Sequence, residues 1–450
     1  MRTERIKSGV LTLLVLTSMW LTYELWSYQP DYSTIEHSEE SYIETEPIGD
    51  EQEVEETIFP ERIVFHDEEN LAWLDGNDNR FGAFYEKLQD ARFEELALQS
   101  DITNEEIYEE ERIAEVIFPA PIPWTMLDEL FEVEEDLPHI NVEEIDRVLI
   151  SEQAEGEDNL QIKLVSWEEA AMITGETSFS GSEFNEVYLD AMDELPEVFV
   201  YDPGDEEEEA APLYLPEESV SYTTRSYSMS SLDAEDFAQV LFNDPDYTRH
   251  AGQEFQSDGN RMLDIVEDGG YMQYSNPVFS DNNSSSESHI LTSGFDFINS
   301  HAGWTGNYQL FDWEEEGSTQ SVSYRLQIEG LPVFSDGATD VNVIELEREG
   351  NQVSSYARPL FDIDNEAFDT GSFVQLESGE EILETIEMYS EVLPFEESDI
   401  ENLSVGYEME KQDLLATLTP RWYVQAHGNW HPIDVDELSE QGETENNGLE

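Results

Sequence analysis

The sequence predicts an α+β protein: a single N-terminal transmembrane helix, then an elongated extracytoplasmic part with a mixed α/β N-terminal domain and two related helix-plus-antiparallel-sheet domains. Three observations predict this architecture. An uncharged apolar run follows three cations near the N-terminus, several later segments alternate between apolar and polar residues, and amphipathic helical segments lie between those strands.

The first apolar run, residues 8–28, predicts the transmembrane helix. Ser8 to Tyr23 carries no charge, and at about 1.5 Å per residue the whole run spans a hydrocarbon core of about 30 Å. Cations before it predict a cytoplasmic N-terminus, and aromatic residues toward its end suit the outer headgroup layer. These residues are Arg2, Arg5 and Lys7, then Trp20, Tyr23, Trp26 and Tyr28. The predicted location is the cell membrane, crossed once, with the C-terminal part extracellular.

A cleaved signal peptide is the alternative interpretation of this run. The residues that follow the apolar core, from Trp20 to Tyr28, are bulky and offer no small-x-small site for signal peptidase. The chain has no Cys, which excludes lipoprotein processing, disulfides and thiolate metal sites. An uncleaved anchor is therefore the prediction.

Charge is the extreme feature of the composition. The chain has 107 Asp and Glu against 18 Lys and Arg, a net charge of −89. Nucleic acid is excluded as a partner, because binding phosphates needs a basic surface. A calcium sponge or a DNA mimic is one interpretation. Halophilic or alkaliphilic adaptation is favoured, since acidic surfaces stay hydrated in salt and only 4 of the 18 cations are Lys.

Shifts in composition predict the domain boundaries. An acidic segment poor in apolar residues follows the anchor, and a second segment rich in Glu and Pro separates two folded regions. The predicted parts are the cytoplasmic N-terminus and anchor 1–28, an acidic stalk 29–57, a mixed α/β domain 58–201, an acidic linker 202–215, a middle α+β domain 216–315, a C-terminal α+β domain 316–436 and a disordered tail 437–450.

Residue periodicity predicts the elements of the first folded domain. Residues 79–98 predict one helix, since most of their apolar residues share a face. Thr103 and Glu106 fit a capping box. The stretch Pro119 to Pro123 predicts a break that neither a helix nor a central strand can continue. Strands are predicted at 61–66, 145–150 and 160–165.

The second half of the chain contains the clearest strand signal. Residues 321–329 alternate between an apolar face and a polar one, so one face is buried and the sheet is antiparallel. Ser378 and Glu381 fit a capping box that begins another helix. Further strands are predicted at 221–229, 261–266, 271–274, 341–347, 403–409 and 421–426, and further helices at 233–242 and 289–300.

No motif for nucleophilic catalysis, phosphate binding or cofactor binding occurs in the sequence, so no catalytic residue, metal or cofactor is predicted. His427 and His431 have a metal-ligand spacing, but Gly428 and the strand-like context place both on a loop. Ordinary surface histidines are the favoured interpretation.

One stretch partly matches a calcium-binding EF-hand loop. Asp75, Asn77, Asn79 and Glu86 occupy its positions 1, 3, 5 and 12. Arg80 stands where the sharp turn needs Gly, so a polar turn before a helix is the favoured interpretation.

With catalysis poorly supported, the anchor is predicted to be the working surface. Small and hydroxyl residues recur along it at spacings that let helices approach closely. A passive anchor that merely tolerates them is the alternative. The predicted partner-binding residues are Ser8, Leu11, Thr12, Val15, Ser18, Thr22 and Leu25.

Several segments together resemble the YycH family, which accompanies the WalK/WalR (YycG/YycF) two-component system of cell-wall control in Gram-positive bacteria. The resemblance extends over nearly the whole chain. Its segments are the opening R-x-x-x-I-K-S and L-T-x-x-L-W-x-Y-x-P, I-F-P-A-P-I-P at 117–123, L-F-N-D-P at 241–245, G-L-P-V-F at 330–334, Y-A-R-P-L at 356–360, L-T-P-R-W-Y-V at 418–424 and G-x-W at 428–430.

The resemblance implies a non-enzymatic regulator with a transmembrane helix and an outward-facing part of three domains. Its implied partners are a WalK/YycG-like sensor histidine kinase and a YycI-like protein, and the helix is expected to contact the kinase and restrain its activity. A homodimer is left open. The extreme acidity departs from the family pattern and puts in doubt any family surface that relies on Lys.

Two other functions compete with this one. The outer domains could form an extracytoplasmic binding module for cell-wall fragments or calcium. An envelope hydrolase is the third hypothesis, and it needs a nucleophile and a base that converge in one pocket.

Overall fold

Antiparallel strands dominate the structure, as the alternating segments predict. The computed structural model describes residues 19, 48–68, 70–133, 142–152, 160–203, 211–242, 249–251, 254–257, 261–266, 270–277, 288–335, 340–390, 392–412, 414–435 and 438. The chain divides into two units, 1–46 and 47–450, and every element below belongs to the second. No helix among the described residues is long and apolar enough to cross a membrane. The predicted span 8–28 lies outside them, apart from Met19.

The N-terminal sheet has eight strands. They are β1 Arg62–Asp67, β2 Asn70–Leu74, β3 Arg92–Ser100, β4 Arg112–Pro123, β5 Glu132–Val133, β6 Glu144–Glu152, β7 Leu160–Ser166 and β8 Ala171–Thr177. Their order is β2-β1-β4-β6-β7-β8-β3-β5, and the pairing is antiparallel except between β3 and β5. The strands predicted at 61–66, 145–150 and 160–165 are thus confirmed as β1, β6 and β7.

Short helices accompany this sheet. Both residues of the predicted Thr103–Glu106 capping box make their hydrogen bonds. The helices are α1 Val54–Thr57, α2 Asn79–Gln89, α3 Asn104–Ile107, α4 Leu127–Leu130 and α5 Gly181–Glu183, with 3₁₀ turns at Trp124–Met126 and Leu189–Glu194 and a π turn at Phe184–Tyr188.

Two predictions in this region are wrong. The helix predicted over 79–98 ends at Gln89, and residues 92–100 form β3, because pairing with β8 and burial of Phe93 outweigh the helix preference of the Glu and Leu residues there. The break predicted at 119–123 lies inside β4. The register between β4 and β6 shifts between Ile117 and Ile122, so the strand carries its prolines where it bulges away from the ladder.

The second half of the chain forms a two-stranded sheet and a sheet of fifteen strands. The two-stranded sheet pairs β9 Val198–Tyr201 with β10 Leu213–Pro216. The large sheet contains β11 Val220–Ser231, β12 Arg249–Ala251, β13 Glu254–Ser257, β14 Arg261–Val266, β15 Tyr271–Ser275, β16 Tyr308–Glu316, β17 Thr319–Ile328, β18 Leu331–Ser335, β19 Val343–Glu349, β20 Gln352–Pro359, β21 Phe361–Ile363, β22 Asp369–Leu376, β23 Ile400–Gln412, β24 Leu415–Ala426 and β25 Asn429–Ile433.

The large sheet is almost wholly antiparallel, as predicted, with one parallel pair, β18 and β23. Its order is β12-β13-β14-β15-β20-β19-β17-β18-β23-β24-β11-β21, with β16 beside β17, β22 beside β11 and β25 beside β24. Because β17 pairs with both β16 and β19, one hydrogen-bonded sheet runs across residue 316. The predicted domain boundaries stay predictions.

Three longer helices accompany this part of the chain: α6 Ala234–Leu241, α7 Ile290–Ser300 and α8 Gly379–Met388. All three were predicted from the sequence, and the predicted Ser378–Glu381 capping box begins α8. A 3₁₀ turn follows at Glu397–Asp399. The end of the predicted stalk, 48–57, is folded. Asp50 donates a backbone hydrogen bond to Trp304 O, and Thr57 is buried.

Candidate functional site: the cleft between the two large sheets

A close backbone contact joins the N-terminal sheet to the C-terminal one. Gly330, in the two-residue turn between β17 and β18, has a φ of 76°, and a Cβ built on it would lie 2.6 Å from the carbonyl carbon of Gly76. Only Gly fits such a turn position without strain while its backbone touches another backbone. Both glycines line a cleft.

Polar contacts hold the two walls of the cleft together. The Tyr222 hydroxyl, from β11, donates to Asp75 Oδ2 at 2.8 Å. Arg62, from β1, donates to the carbonyl oxygens of Tyr214 and Leu403. These bonds link β1 and the turn after β2 to strands β10, β11 and β23, so the cleft is part of the interface between the sheets.

The cleft has a volume of about 290 Å³, at the lower end of the range for small-molecule sites. Aromatic rings line both walls. Phe59, Trp73 and Phe81 come from the N-terminal side, and Phe311 and Trp430 from the C-terminal side.

Neighbouring groups fix the C-terminal aromatic wall. The ring centroids of Phe311 and Trp430 are 5.7 Å apart. The buried guanidinium of Arg325 lies 4.1 Å from the Phe311 ring and 4.2 Å from the Phe334 ring. It also donates to Val333 O at 3.0 Å. A cation held between two rings restricts both of them.

Carboxamides provide much of the polar lining. Asn402 donates to Glu61 Oε2 at 3.3 Å and accepts from the Leu403 amide. Four others make no side-chain hydrogen bond to any described residue: Asn307, Gln309, Gln327 and Gln425. Each carboxamide can donate and accept at once.

The charged groups of the cleft already have partners. Asp75 accepts the Tyr222 hydroxyl and the Asn77 amide. Asp312 accepts the amide of Trp313, and burial raises its pKa to about 6. Arg62 is the one cation among the described lining residues, and its guanidinium lies 3.3 Å from Glu61 Oε1.

A buried ionic cluster lies beside the cleft, where β4 and β6 meet β10. Glu115 has 0% exposure and forms an ion pair with Arg147, which also donates to Pro212 O at 2.8 Å. His66 Nε2 lies 3.1 Å from Glu115 Oε2, and the Tyr214 hydroxyl donates to the same oxygen. Burial alone would raise the pKa of Glu115, but the charge of Arg147 and these hydrogen bonds lower it to about 2.

The structure supports neither the EF-hand match nor the His427 and His431 pair as a metal site. In the EF-hand match, Asn79 and Glu86 lie in α2, while Asp75 bonds across the cleft. His427 lies in the turn after β24, as predicted, but His431 lies in β25 rather than on a loop. Among the described residues, no group of three or more His, Asp or Glu is placed to hold a metal ion.

The predicted partner-binding face of the anchor, from Ser8 to Leu25, lies outside the described residues. The structure therefore leaves that prediction untested.

Comparison with known families covers most of the chain. The model of the YycH protein N-terminal domain matches residues 4–194, and that of the YycH protein C-terminal domain matches residues 210–442. The chain belongs to the YycH family. A protein of Bacillus subtilis (strain 168) is named two-component system WalR/WalK regulatory protein YycH. It is 22% identical to this chain over an alignment 480 residues long, gaps included, that covers 100% of each chain.

The crystal structure of YycH from Bacillus subtilis has the same fold. The superposition has a TM-score of 0.70 at 19% identity and covers 86% of this chain and 99% of that one. The mixed α and β architecture described above is therefore that of the YycH family.

Three segments that carry the sequence resemblance to the YycH family meet at the cleft. Pro119 belongs to the first, Gly330 and Pro332 to the second, and Trp430 to the third. The cleft was not predicted from the sequence. The three motifs were the only residues in the sequence analysis that could have pointed to it. The carboxamides beside them have no distinguishing sequence context.

Proposed function

We propose that the chain is a non-enzymatic, membrane-anchored regulator of a WalK/WalR-type two-component system. It binds a WalK-like sensor histidine kinase, together with a YycI-like partner, through its transmembrane helix and outer domains, and it restrains kinase activity that controls cell-wall metabolism. The supporting observation is full-length similarity to a protein named as a WalR/WalK regulatory protein.

The anchor belongs to this proposal because the family's N-terminal model begins at residue 4 and so includes the apolar run 8–28. A helix that contacts another helix in lipid shifts a two-state kinase only by its difference in affinity for the two states. Such couplings are typically about 1–3 kcal/mol, or about 5–150-fold in an equilibrium. A single contact face can therefore tune the kinase.

The test compares threonines on different faces of the anchor. Thr12→Leu with Thr22→Leu removes two hydroxyls from the predicted contact face. Thr17→Leu is the matched control, because Thr17 lies five residues from each and so about 140° around a helix from both. Cells that carry a WalK/WalR-type system but lack their own YycH supply the readout, WalR-dependent transcription. We expect the double variant to lose restraint and Thr17→Leu to keep it.

Replacing residues 8–23 with poly-Leu of equal length is the stronger version of this test. Unchanged transcription, with a normal amount of protein in the membrane fraction, would refute the helix-contact mechanism. Pull-down of the full chain from membranes identifies the partners. Recovery of neither a histidine kinase nor a YycI-like protein would contradict the proposal, and recovery of a second copy would establish a homodimer.

A further inference from the structure

We propose that the cleft between the two large sheets binds an uncharged, hydroxyl-rich ligand: a short glycan, or the end of a longer one. This inference is separate from kinase regulation. It rests on the chemistry of the lining, which combines aromatic faces on both walls with carboxamides that have no partner among the described residues.

The aromatic walls suit the faces of sugar rings. A pyranose ring presents C–H groups on its two faces, and these pack against the electron-rich face of an aromatic side chain. Phe59, Phe311 and Trp430 are each partly exposed, so their rings are accessible from the cleft. The Arg325 guanidinium packs against the Phe311 ring at 4.1 Å and restricts it, which reduces the entropy that binding would cost.

The carboxamides suit hydroxyl groups. A sugar hydroxyl donates one hydrogen bond and accepts others, and Asn and Gln side chains do both. The four carboxamides without partners come from the loop before β16, from β16 itself, from β17 and from β24. All four therefore belong to the C-terminal sheet or the loop that leads into it, and they form a polar surface on that wall of the cleft.

The charges of the lining disfavour an anionic ligand. Arg62 already donates to two carbonyl oxygens and lies beside Glu61. The remaining charged groups named in the lining are carboxylates, in a chain of net charge −89. An anion would find no uncommitted cation among the described lining residues. A neutral ligand avoids this repulsion.

The test is titration calorimetry on the full chain in lipid nanodiscs, with the di- and tetrasaccharides of N-acetylglucosamine as probes. Gln327→Ala and Gln425→Ala, singly and together, remove two carboxamides without breaking a bond to any described side chain. Gln352→Ala is the matched control, since Gln352 is exposed at the start of β20, outside the lining.

We expect saturable binding to the unmodified chain, a loss of about tenfold in affinity for the double variant, and no change for Gln352→Ala. Three results would overturn the proposal: no saturable binding of either saccharide, equal affinity in the double variant and the unmodified chain, or cleft-dependent binding of an uncharged tetrapeptide in place of the sugars. None of these readouts involves the kinase, so failure here leaves the regulatory proposal intact.

Discussion

Arg147→Met tests the buried ionic cluster that lies beside the cleft. The substitution keeps an unbranched apolar stem of similar reach and removes the cation. Glu115 then remains buried with no exposure to water and without its cation, and Pro212 O loses its donor. Leaving one partner of a buried ion pair uncompensated is among the most destabilising changes that a side chain can make.

The size of the expected loss in stability follows from the pKa of the Glu115 carboxyl group. Its pKa is lowered from 4.5 to about 2, and each unit is worth about 1.4 kcal/mol. The charged form is therefore favoured in the folded state by about 3 kcal/mol. Breaking a buried pair by removing one partner costs about 3–5 kcal/mol. Both routes predict that Arg147→Met lowers the free energy of unfolding by at least about 3 kcal/mol at pH 7.

Urea unfolding of the full chain in detergent micelles, followed by tryptophan fluorescence at pH 7 and pH 3, measures this change. Because the folded-state pKa is depressed, the contribution is complete above the unfolded-state pKa and is lost as pH falls through the folded one. From the two pKa values, about half of it is gone at pH 3. The gap between the unmodified chain and Arg147→Met should narrow accordingly.

Arg92→Met is the matched control. Arg92 pairs with Glu132 at 3.1 Å on the surface, where both side chains are about half exposed, and such pairs contribute about 0–1 kcal/mol. A loss for Arg147→Met no larger than for Arg92→Met would refute the reasoning. An equal loss at pH 3 and pH 7 would show that packing, rather than the charge of Glu115, accounts for the effect.

Two further predictions concern the contacts between the sheets. Gly330→Ala should lower the thermal midpoint more than Gly317→Ala, because both positions have positive φ but only Gly330 faces another backbone; equal shifts would show that the contact is not tight. Tyr222→Phe should cost about 0.5–1.5 kcal/mol in urea unfolding, since it removes a hydrogen bond across the cleft. Tyr423→Phe is the control, as its buried hydroxyl has no described partner; a cost equal to that of Tyr222→Phe would contradict the role assigned to this bond.

Local periodicity predicted most strands and the longer helices correctly, because their signals lie within a few residues. The alternation at 321–329 became β17, and the Ser378–Glu381 box began α8. The failure at 92–100 has a non-local cause. Glu and Leu there favour a helix in isolation, and only β8, about 75 residues later in the chain, makes them a strand. A sequence does not show such a partner.

The cleft was unpredictable for the same reason. Trp73, Gln327 and Trp430 lie on three distant segments, and each alone looks like an ordinary core or surface residue. What brings them together is the packing of the two sheets, through the contact between Gly76 and Gly330 and the hydrogen bonds of Tyr222 and Arg62. In the sequence, Gly330 was visible only as the first residue of the G-L-P-V-F segment at 330–334. Its partner, Gly76, was visible only as part of a polar turn.

The placement of the cations links the acidity of the chain to its interaction surfaces. The chain has only 18 Lys and Arg, and several of them lie in the interior of the fold. Arg147, Lys163 and Arg358 are all buried. Lys163 donates to the carbonyl oxygens of Glu106 and Ile107 at 3.0 Å, and Arg358 donates to Gly303 O at 2.7 Å. Cations in these positions stabilise backbone groups in the interior and leave the surface to carboxylates.

A surface of this kind limits how the chain can recognise a partner. Contacts that rely on exposed Lys have few residues to use, and a broad acidic face repels any acidic partner through its summed field. Uncharged regions escape that repulsion. The apolar run 8–28 and the carboxamide- and aromatic-lined cleft are two such regions. The proposed helix contact in lipid and the proposed neutral-ligand cleft therefore both avoid the charge repulsion that an electrostatic docking surface on this chain would meet.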